Sequence, residues 1–400
     1  MRPYDGRRVL LGVSGGIAAY KAGWLSRLLA QAGAEVDVVM TRAATEFVGP
    51  VTFEGLTGRE VHTDIFARGR ALDHIHLARS ADAVIVAPAT ADFMARAAQG
   101  RADDLLAACL LATEAPVLIV PAMNDRMWAH PQTRLNAAHL REIGYQLLEP
   151  EEGMLAAGEG SGPGRMPEPE TIFAHAGRLL ESAGFAGRSI VVTAGPTREP
   201  LDPVRFLSNR SSGKMGVAIA AAAWRRGARV TLVAGPLEVP APVGVSLVRV
   251  ETTLEMADAV ARALGEADAL IMAAAPADFR PARAAEQKIK KTSSPDSLEL
   301  TGTRDILAAT APCRRAGAVV VGFALETEDL LGNARAKLEA KGLDLIVANN
   351  ALEEGAGFGT DTNRVTIIPR EGAAEALPLG PKSEVADAIL DRVETLLRGS

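Results

Sequence analysis

The chain has 400 residues, of which 48% are hydrophobic and 23% charged, and its formal net charge is −6. A single hydrophobic core rarely grows beyond about 250–300 residues, so this length predicts two domains. The acidic balance argues against nucleic acid or an anionic membrane surface as a partner. No apolar run approaches the roughly 18 residues that a membrane span needs, or reads as a signal peptide near the amino terminus. We therefore expect a cytoplasmic protein that does not engage membranes.

Short apolar runs alternate with helical patterns through the first half of the chain. Strands are predicted at 8–14, 35–41, 83–88, 117–121 and 145–148. Helices are predicted between them at 17–31, 92–99, 103–113 and 134–142. Continuous apolar strands separated by helices are typical of a parallel sheet covered on both faces. This pattern predicts a doubly wound α/β domain whose ligands bind beyond the carboxyl ends of the strands.

The same pattern restarts after residues 182–188, where we place the boundary between a domain at 1–184 and a domain at 187–400. Strands are predicted at 189–193, 229–234, 269–273, 319–323 and 343–348, and helices at 216–226, 254–264, 330–341 and 385–397. The predicted fold class is therefore α/β, with two doubly wound, mostly parallel-sheet (Rossmann/flavodoxin-like) domains in tandem. Two irregular stretches interrupt the pattern: 153–169, which is rich in glycine and proline and predicts a lid or flap, and 282–295.

A glycine-rich turn follows the first predicted strand. Gly12-Val13-Ser14-Gly15-Gly16-Ile17 lies where that strand meets a helix, and glycines there let backbone amides approach a phosphate at the positive end of the helix. Thr41, after the second strand, could add a hydroxyl group. The turn departs from G-x-G-x-x-G, which argues against a dinucleotide fingerprint. Taken alone, it is either a tight turn of an α/β fold or a phosphate site.

Two further segments of the first half carry side chains suited to catalysis. His74 and His76 precede a predicted strand, and an imidazole with a pKa near neutrality suits proton transfer at the edge of a sheet. Asn124 follows the strand at 117–121 directly. In isolation, each histidine is compatible with a surface or capping role, and Asn124 with a helix cap. The Asn124 amide could equally bind a substrate carboxylate in the crevice.

In this order, these segments resemble the flavin mononucleotide-dependent cysteine decarboxylases over residues 7–180. The motifs that carry the resemblance are Ser14-Gly15-Gly16-Ile17-Ala18, His74-Ile75-x-Leu77, Ala87-Pro88-Ala89-Thr90-Ala91 and Pro121-Ala122-Met123-Asn124. The segment Gly162-Pro163-Gly164-Arg165-Met166 resembles the substrate flap of the phosphopantothenoylcysteine decarboxylases in particular. The resemblance implies FMN as the cofactor. Its oxidation of the substrate thiol to a thioaldehyde would place an electron sink beside the carbon that loses CO₂.

The resemblance also implies roles for individual residues. His74 and Asn124 would be catalytic, with Asn124 holding the substrate carboxylate. FMN would be bound by Ser14, Gly15, Thr41, Ala89 and Thr90, and the substrate by Met123, Met127 and Arg165.

One flap position departs from the family pattern. The flap reads Leu155-Ala156-Ala157-Gly158, with Ala157 where the family has a cysteine that donates a proton in the final reduction. Cys109 lies in a leucine-rich helical run typical of a core, and Cys109 and Cys313 form no ligand or disulfide pattern. Either another donor, such as Glu159 or water, completes the reduction, or the reaction stops at the enethiol.

Polar motifs also follow the strands of the second half. Ser208–Gly216 opens a predicted helix, but Ser208 and Met215 do not fit a Walker A loop. Its hydroxyls and glycines still favour an anion near Lys214, although a well-capped helix would explain the serines. Asp278 follows a buried strand, where a turn carboxylate is the simpler interpretation. Lys337 and Lys341 are four residues apart, and a shared anion would offset their repulsion.

In this order, these segments resemble the phosphopantothenate–cysteine ligases over residues 187–400. The most specific matches are Thr193–Arg198, Asp202–Arg205, Ser208–Gly216 and Lys288–Lys291. The resemblance implies that CTP activates the carboxylate of 4′-phosphopantothenate and that L-cysteine then attacks the acyl-cytidylate. Mg²⁺ would accompany the triphosphate, with no metal site built by protein side chains.

By this resemblance, Asn209 would bind the acyl intermediate and Lys288 would support the second half-reaction. CTP would be bound by Met272, Ala273, Ala274, Asp278, Lys288, Thr303, Arg304, Asp305, Ile306, Phe323, Lys337 and Lys341. The substrate would contact Arg205, Ser211, Ser212, Gly213 and Lys214. Pro276 stands where an aliphatic residue is expected.

Three other interpretations remain open at this point. A decarboxylase acting alone on peptides with a carboxyl-terminal cysteine is disfavoured by the complete second half. A flavin-binding regulatory protein with degenerate chemistry is kept open by Ala157. A nicotinamide dehydrogenase lacks its fingerprint at Gly12. The families that the two halves resemble form trimers and dimers respectively, so a homo-oligomer, a dodecamer by combination of the two symmetries, is expected.

Overall fold

The computed structural model describes residues 2–155, 158, 160–290, 297–350, 353, 355–357 and 359–399. The chain divides into two compact units, Met1–Glu181 and Ser182–Ser400. This division falls just ahead of the boundary that we placed between residues 184 and 187. Within the described ranges, no helix is both long and apolar enough to cross a membrane.

The first unit is built on a six-stranded sheet in the order β3-β2-β1-β4-β5-β6, and every neighbouring pair in it is parallel. Its strands are β1 Arg8–Val13, β2 Glu35–Met40, β3 Val61–His62, β4 Ala83–Ala89, β5 Val117–Pro121 and β6 Gln146–Leu147. Its helices are α1 Ala19–Gln31, α2 Pro50–Thr57, α3 Asp73–Ser80, α4 Ala91–Ala98, α5 Leu105–Ala112, α6 Asp125–Ala129, α7 Pro131–Glu142 and α8 Pro169–Leu180.

Alternate residues of β1 enter two different cores, which is why the sheet is covered on both faces. Val9 and Leu11 pack with Leu25 of α1 on one face. Leu10 packs with Leu106 of α5 on the other. The strand order reverses between β1 and β4, so the crevice that parallel sheets offer to ligands lies above these two strands.

The second unit has an eight-stranded sheet in the order β13-β12-β9-β14-β17-β18-β20-β21, parallel as far as β18 and antiparallel from β18 to β21. Its strands are β9 Ser189–Ala194, β10 Arg198–Pro200, β11 Phe206–Ser208, β12 Arg229–Ala234, β13 Ser246–Arg249, β14 Ala269–Met272, β15 Phe279–Pro281, β16 Leu300–Gly302, β17 Val319–Glu326, β18 Leu345–Asn350, β19 Thr362–Asn363, β20 Thr366–Pro369, β21 Glu375–Ala376 and β22 Gly380–Pro381. Its helices are α9 Lys214–Arg225, α10 Thr253–Leu264, α11 Ile306–Thr310, α12 Leu330–Ala340 and α13 Lys382–Gly399.

The predicted fold class is confirmed, since both units are doubly wound and mostly parallel. Strand order reverses in the second unit between β9 and β14, which places a second crevice there. One local prediction was wrong, since His74 lies inside α3 rather than at a strand edge. The stretch at 153–169, which we predicted to be a lid or flap, contains the end of β7 Glu151–Met154 and all of β8 Ser161–Arg165, an antiparallel hairpin that we call the flap hairpin. The helix predicted at 216–226 begins two residues earlier, at Lys214.

Candidate active sites

The first candidate site lies where β1 and β4 end. Ser14 is buried, and its hydroxyl donates to the Pro88 carbonyl at 2.8 Å and accepts from the Thr90 amide at 3.0 Å. Thr90 in turn caps α4, because its hydroxyl accepts from the Phe93 amide at 3.2 Å. These bonds tie the turn after β1 to the turn after β4, so the floor of the crevice is fixed before any ligand arrives.

The glycine-rich turn also meets the chain after β2 at close range. A Cβ added at Gly15 would lie 2.3 Å from the Cβ of Ala43, so a larger residue does not fit there. Thr41 is buried nearby, and its hydroxyl accepts from the Ala44 amide at 3.2 Å. With Ala89 buried in β4, the predicted FMN residues meet at one edge of the sheet. A hydroxyl-lined crevice at a helix start fits a phosphate-bearing flavin.

His74 stands in the first turn of α3, and its ring nitrogen Nδ1 is buried. Among the side chains that the structure describes, this nitrogen has no hydrogen-bond partner. A buried polar atom of this kind is uncommon in proteins and is suited to a hydrogen bond with a ligand. His76, two residues on, is exposed. The structure therefore distinguishes the two histidines by burial and favours His74 as a ligand-binding residue, whereas the sequence alone could not distinguish them.

The flap hairpin packs on the loop that carries Asn124. Asn124 is the first residue before α6, and its side-chain oxygen accepts from the Arg126 amide at 2.9 Å. Next to it, the Met123 amide donates to the Gly164 carbonyl at 3.0 Å. A Cβ at Gly164 would lie 2.2 Å from the Met123 oxygen, so only glycine allows this approach. Asn124 is thus both a helix cap and a residue held directly beneath the flap.

The remaining predicted substrate residues differ in exposure. Met127 of α6 is 49% exposed, whereas Met123 is half-buried. Arg165 ends β8 and forms an ion pair with Glu168.

Cys109 does not substitute for the missing flap cysteine. Cys109 is fully buried in α5, and burial raises the pKa of its thiol to about 12, so it is a core residue. Cys313 is exposed in the second unit. Ala157 and Glu159 lie outside the described residues, so the choice between Glu159 and water as the donor stays a prediction.

The second candidate site is a cavity of about 450 Å³ at the carboxyl ends of β14, β17 and β18. It holds the predicted CTP residues except Lys288. The predicted residues that line it are Asn209, Ser211, Ser212, Gly213, Lys214, Met272, Ala273, Ala274, Asp278, Thr303, Arg304, Asp305, Ile306, Phe323, Lys337 and Lys341. Residues from both ends of the unit therefore converge on one space.

The lysines of this cavity are held by internal partners. Lys214 donates to the Gly359 carbonyl at 2.8 Å and pairs with Asp361 at 2.7 Å. Lys341 pairs with Asp305 at 3.1 Å. Lys337 donates to the Phe323 carbonyl at 3.1 Å; burial lowers the pKa of its ammonium group, and the charge of Lys341 lowers it further. The cavity is therefore positively charged, and its cations already have internal partners.

Asn209 is held against the strand-end segment on the opposite side of the crevice. Its side-chain amide donates to the carbonyls of Ala275 at 3.2 Å and Pro276 at 3.0 Å. Behind that segment, the Thr197 hydroxyl accepts from the Ala277 amide at 2.9 Å and lies 2.9 Å from the Thr253 hydroxyl. The proline at 276 is thus part of an ordered, hydrogen-bonded loop.

Two predicted residues, Arg205 and Lys288, do not line the cavity. Arg205 is exposed and donates through Nε to the buried Asp202 carboxylate at 2.9 Å, and its hydrogen bonds hold the pKa of that carboxyl well below its ordinary value. The same carboxylate accepts from the Ile289 amide at 3.2 Å. Arg205 and the exposed Lys288 thus lie on two surface segments of this chain, which hydrogen bonds hold together.

Sequence reasoning missed several cavity residues, notably Lys382 and Asn363. Lys382 is the first residue of α13, and its buried ammonium group donates to the Gly357 carbonyl at 3.0 Å and to the Thr360 carbonyl. Burial lowers the pKa of Lys382, and Lys214 lowers it further. Other cavity residues that were not predicted are Met215, Thr253, Ala275, Pro276, Ala277, Leu307, Leu325, Asn349 and Gly357. Met215 and Pro276 lie in segments that the sequence analysis had already assigned to the site, whereas Lys382 and Asn363 belong to no motif and are brought to the cavity by the fold alone.

In the described part of the chain, no group of three or more histidine, cysteine or carboxylate side chains is placed to hold a metal ion. Asp278 and Asp305 do line the cavity, beside its lysines. These two carboxylates fit a magnesium ion that accompanies a triphosphate, and they would help to hold that ion while it supplied neutralising charge.

The fold and the two crevices define a tandem α/β protein with one turn rich in glycine and hydroxyl groups at each sheet's carboxyl edge. Family models match both halves: Flavoprotein over residues 1–180, and DNA/pantothenate metabolism flavoprotein C-terminal domain over residues 185–397. The chain is also similar to three curated proteins named coenzyme A biosynthesis bifunctional protein CoaBC. These come from Mycobacterium tuberculosis (49% identical, 98% of this chain and 97% of the relative), Bacillus subtilis (46%, 98% and 98%) and Vibrio vulnificus (44%, 99% and 100%).

The chain belongs to the family of coenzyme A biosynthesis bifunctional proteins, which confirms the resemblance found in the sequence. It is a bifunctional enzyme, a decarboxylase and a ligase of coenzyme A biosynthesis.

Proposed function

We propose that the second unit joins L-cysteine to 4′-phosphopantothenate at the expense of CTP, and that the first unit decarboxylates the product with bound FMN to give 4′-phosphopantetheine. The observation that carries this proposal is the cavity of about 450 Å³, which gathers every predicted CTP residue except Lys288. The predicted residues come from separate motifs between Asn209 and Lys341, and their convergence on one crevice supports the proposal. A cytoplasmic location stays a prediction.

In the ligase, the carboxylate of 4′-phosphopantothenate attacks the α-phosphorus of CTP, and pyrophosphate leaves, with Mg²⁺ on the triphosphate. The amine of cysteine then attacks the acyl carbon, and CMP leaves. Lys337 and Lys341 would neutralise phosphate charge. Their hydrogen bonds to phosphate would be charge-assisted, and such bonds are strongest where the site is partly buried. Asn209, fixed 3.0 Å from the Pro276 carbonyl, would orient the acyl group.

In the decarboxylase, the bound flavin supplies the two-electron oxidation of the substrate thiol that lets CO₂ leave. Ser14, Thr41 and Thr90 would hold its ribityl-phosphate portion at the fixed floor of the crevice. The Asn124 amide would hold the substrate carboxylate and orient the bond that breaks. His74, with its buried and unpartnered Nδ1, would hold or move the proton of the thiol. Arg165 would clamp the substrate from the flap.

Lys288 and Arg205 would reach a ligase site from a second copy of the chain. They lie on the two surface segments that hydrogen bonds hold together, and apolar side chains are exposed beside them. Val204 is 59% exposed, Phe206 47% and Phe279 58%. Apolar side chains exposed together favour association of protein surfaces. We therefore propose a homo-oligomer, with the dodecamer as the form that both halves predict.

The test of the whole proposal uses the purified full-length protein. It should be yellow, and it should release pyrophosphate from CTP only when 4′-phosphopantothenate is present. With cysteine added, it should release CO₂ from the ligated product. A colourless protein without CTP-dependent turnover would instead favour the regulatory interpretation.

Ala157 requires a separate measurement. We propose that the reduction after CO₂ release proceeds with a donor other than a flap cysteine, so phosphopantetheine accumulates in the wild type. Mass analysis of the product distinguishes it from a species lighter by two hydrogens. If the lighter species dominates and Ala157→Cys converts it to phosphopantetheine, the natural enzyme stops at the enethiol.

A further inference from the structure

Two cations of the first unit converge on one carboxylate oxygen at the base of the flap. Lys21, in the first turn of α1, is buried, and its ammonium group lies 3.1 Å from Oε1 of Glu168. The guanidinium group of Arg165 donates to the same oxygen. Lys21 also donates to the Met166 carbonyl at 3.1 Å. Glu168 therefore joins the last residue of the flap hairpin to the helix that follows the glycine-rich turn.

The flap strand itself is held at its other side by the Asn124 loop. The Met123 amide bonds to Gly164, and a Cβ at Gly162 would lie 2.9 Å from the Cβ of Asp125. Arg165 crosses over β7, since a Cβ at Gly153 would lie 3.1 Å from its Cδ. The arginine thus extends its long side chain at the junction of flap, Asn124 loop and α1, and Glu168 fixes its charged end.

We propose that Glu168 is a positioning residue for decarboxylation: anchored by Lys21, it holds the flap arginine Arg165 in a substrate-ready orientation and keeps the flap docked. This inference rests on the proposed function of the first unit, in which Arg165 clamps the substrate. Glu168 does not touch the reacting atoms. It acts by restricting the rotamers of Arg165 before the substrate arrives. The substrate then does not have to order this side chain on binding, and the entropy cost of binding is smaller.

The charge state of Glu168 agrees with this role. Partial burial raises the pKa of its carboxyl, but the hydrogen bonds and charges of Lys21 and Arg165 outweigh this effect, so the pKa is lowered on balance. The carboxylate therefore stays ionised wherever the enzyme works near neutral pH. A neutral amide at this position keeps the shape but loses both ion pairs.

The chain offers a matched control two residues further on, in the first turn of α8. Glu170 accepts a hydrogen bond from the Trp24 indole at 2.8 Å, so it also links α8 to α1. No contact joins Glu170 to Arg165 among the hydrogen bonds and ion pairs of the described residues. Glu170→Gln therefore weakens the same pair of helices without touching the flap arginine.

The experiment is a double-mutant cycle on the full-length, flavin-loaded enzyme, with Glu168→Gln, Arg165→Ala and the double variant. CO₂ release from 4′-phosphopantothenoylcysteine gives KM and kcat for each. In the wild-type background, Glu168→Gln should raise KM about tenfold, the size expected for ordering one long side chain, with kcat changed less than about threefold. In the Arg165→Ala background it should change KM little, since its target is gone. Glu170→Gln should leave KM unchanged.

Hydrogen–deuterium exchange provides a readout that does not depend on turnover. The Met123 amide and the amides of β8 should exchange faster in Glu168→Gln than in the wild type or in Glu170→Gln, while β9 to β14 keep their rates. An unchanged or lower KM in Glu168→Gln, or an equal rise in both backgrounds, overturns the inference. A wild type that releases no CO₂ refutes the proposed function instead, and the exchange data then judge Glu168 alone.

Discussion

The two candidate sites are prepared for their ligands in different ways. In the first unit, the hydroxyls of Ser14, Thr41 and Thr90 and the Asn124 side-chain oxygen all hydrogen-bond to backbone groups of neighbouring turns. In the second unit, the cations of the cavity are bound to carboxylates and carbonyls: Lys214 to Asp361, and Lys341 to Asp305. The floor of the first site is a preassembled frame of neutral groups, whereas the second site is lined by lysines that are paired with internal carboxylates and carbonyls.

This difference predicts how each site responds to change. A ligand of the first site meets groups whose positions are already set, so removing one group damages geometry and function together. A ligand of the second site must take cations from their internal partners, so the internal anions compete with it. Substitutions in the first unit should therefore have large effects, and substitutions of the competing anions in the second unit small ones.

The largest effect is expected at Asn124. Asn124→Ala should lower kcat for CO₂ release at least about 100-fold, because one preorganised hydrogen-bond donor is worth that much in an active site. Asn124→Asp keeps an oxygen acceptor for the Arg126 amide but removes the carboxylate-binding amide. It should therefore be as inactive as the alanine variant while unfolding at a higher temperature. Normal decarboxylation by either variant would refute the role given to Asn124.

In the second site, the strongest effect is expected at Lys337. Lys337→Met removes a half-buried cation and should raise KM for CTP about tenfold or more, measured by pyrophosphate release. Lys337→Arg keeps the charge and should recover most of the affinity. If the methionine variant binds CTP like the wild type, Lys337 serves the fold through its bond to the Phe323 carbonyl and not the nucleotide.

The pH dependence of ligation should follow the same lysine. Its pKa is lowered, so CTP affinity should fall as pH rises through that lowered value, earlier than for an ordinary lysine. Between the lowered and ordinary values the unfolded chain binds more protons than the folded one, so stability rises with pH while affinity falls. Lys341→Gln removes a like charge and should move the alkaline limb to higher pH, changing activity on that limb by less than about tenfold. A limb that stays in place contradicts the assignment.

The smallest effect is expected at Asp361, whose carboxylate is almost fully exposed. Asp361→Asn frees Lys214 from a competing anion and should lower KM for 4′-phosphopantothenate, by less than about threefold because exposed ion pairs are weak. Increasing salt should shrink the difference between variant and wild type. A marked rise in KM would mean that Asp361 orients Lys214 instead of competing for it.

The sequence was most informative where a function occupies consecutive residues. The turn at Ser208–Gly216 could be predicted from its own run of hydroxyls and glycines. The turn at Gly12–Ile17 and the run at Pro121–Asn124 could be predicted because each lies at the end of a buried, apolar strand. The parallel sheet followed from the same runs, as in β4, where every residue is buried. Short elements such as α2 and β3 were missed because their composition is mixed and their lengths are near those of turns.

Other features depend on contacts between distant residues and have no local pattern. The flap hairpin contains Gly162, Pro163 and Gly164, a composition typical of loops, yet its backbone pairs with β7. Lys382 lines the cavity only because α13 begins beside Gly357 and Thr360. The sequence offered no means of placing Lys288 outside the cavity, since the Asp202 contacts that anchor its neighbour Ile289 span 87 positions.

The position of Lys382 at the first residue of α13 bears on how the enzyme can be handled. The helix has 18 residues, and at 1.5 Å per residue its last residue stands about 26 Å along the axis from its first. A fluorescent reporter or an immobilising linker attached after Gly399 should therefore leave nucleotide access clear. Deleting residues from the end of α13 near Gly399 would remove part of the helix that positions Lys382 in the cavity. We therefore expect this end of α13 to tolerate a fusion but not a deletion.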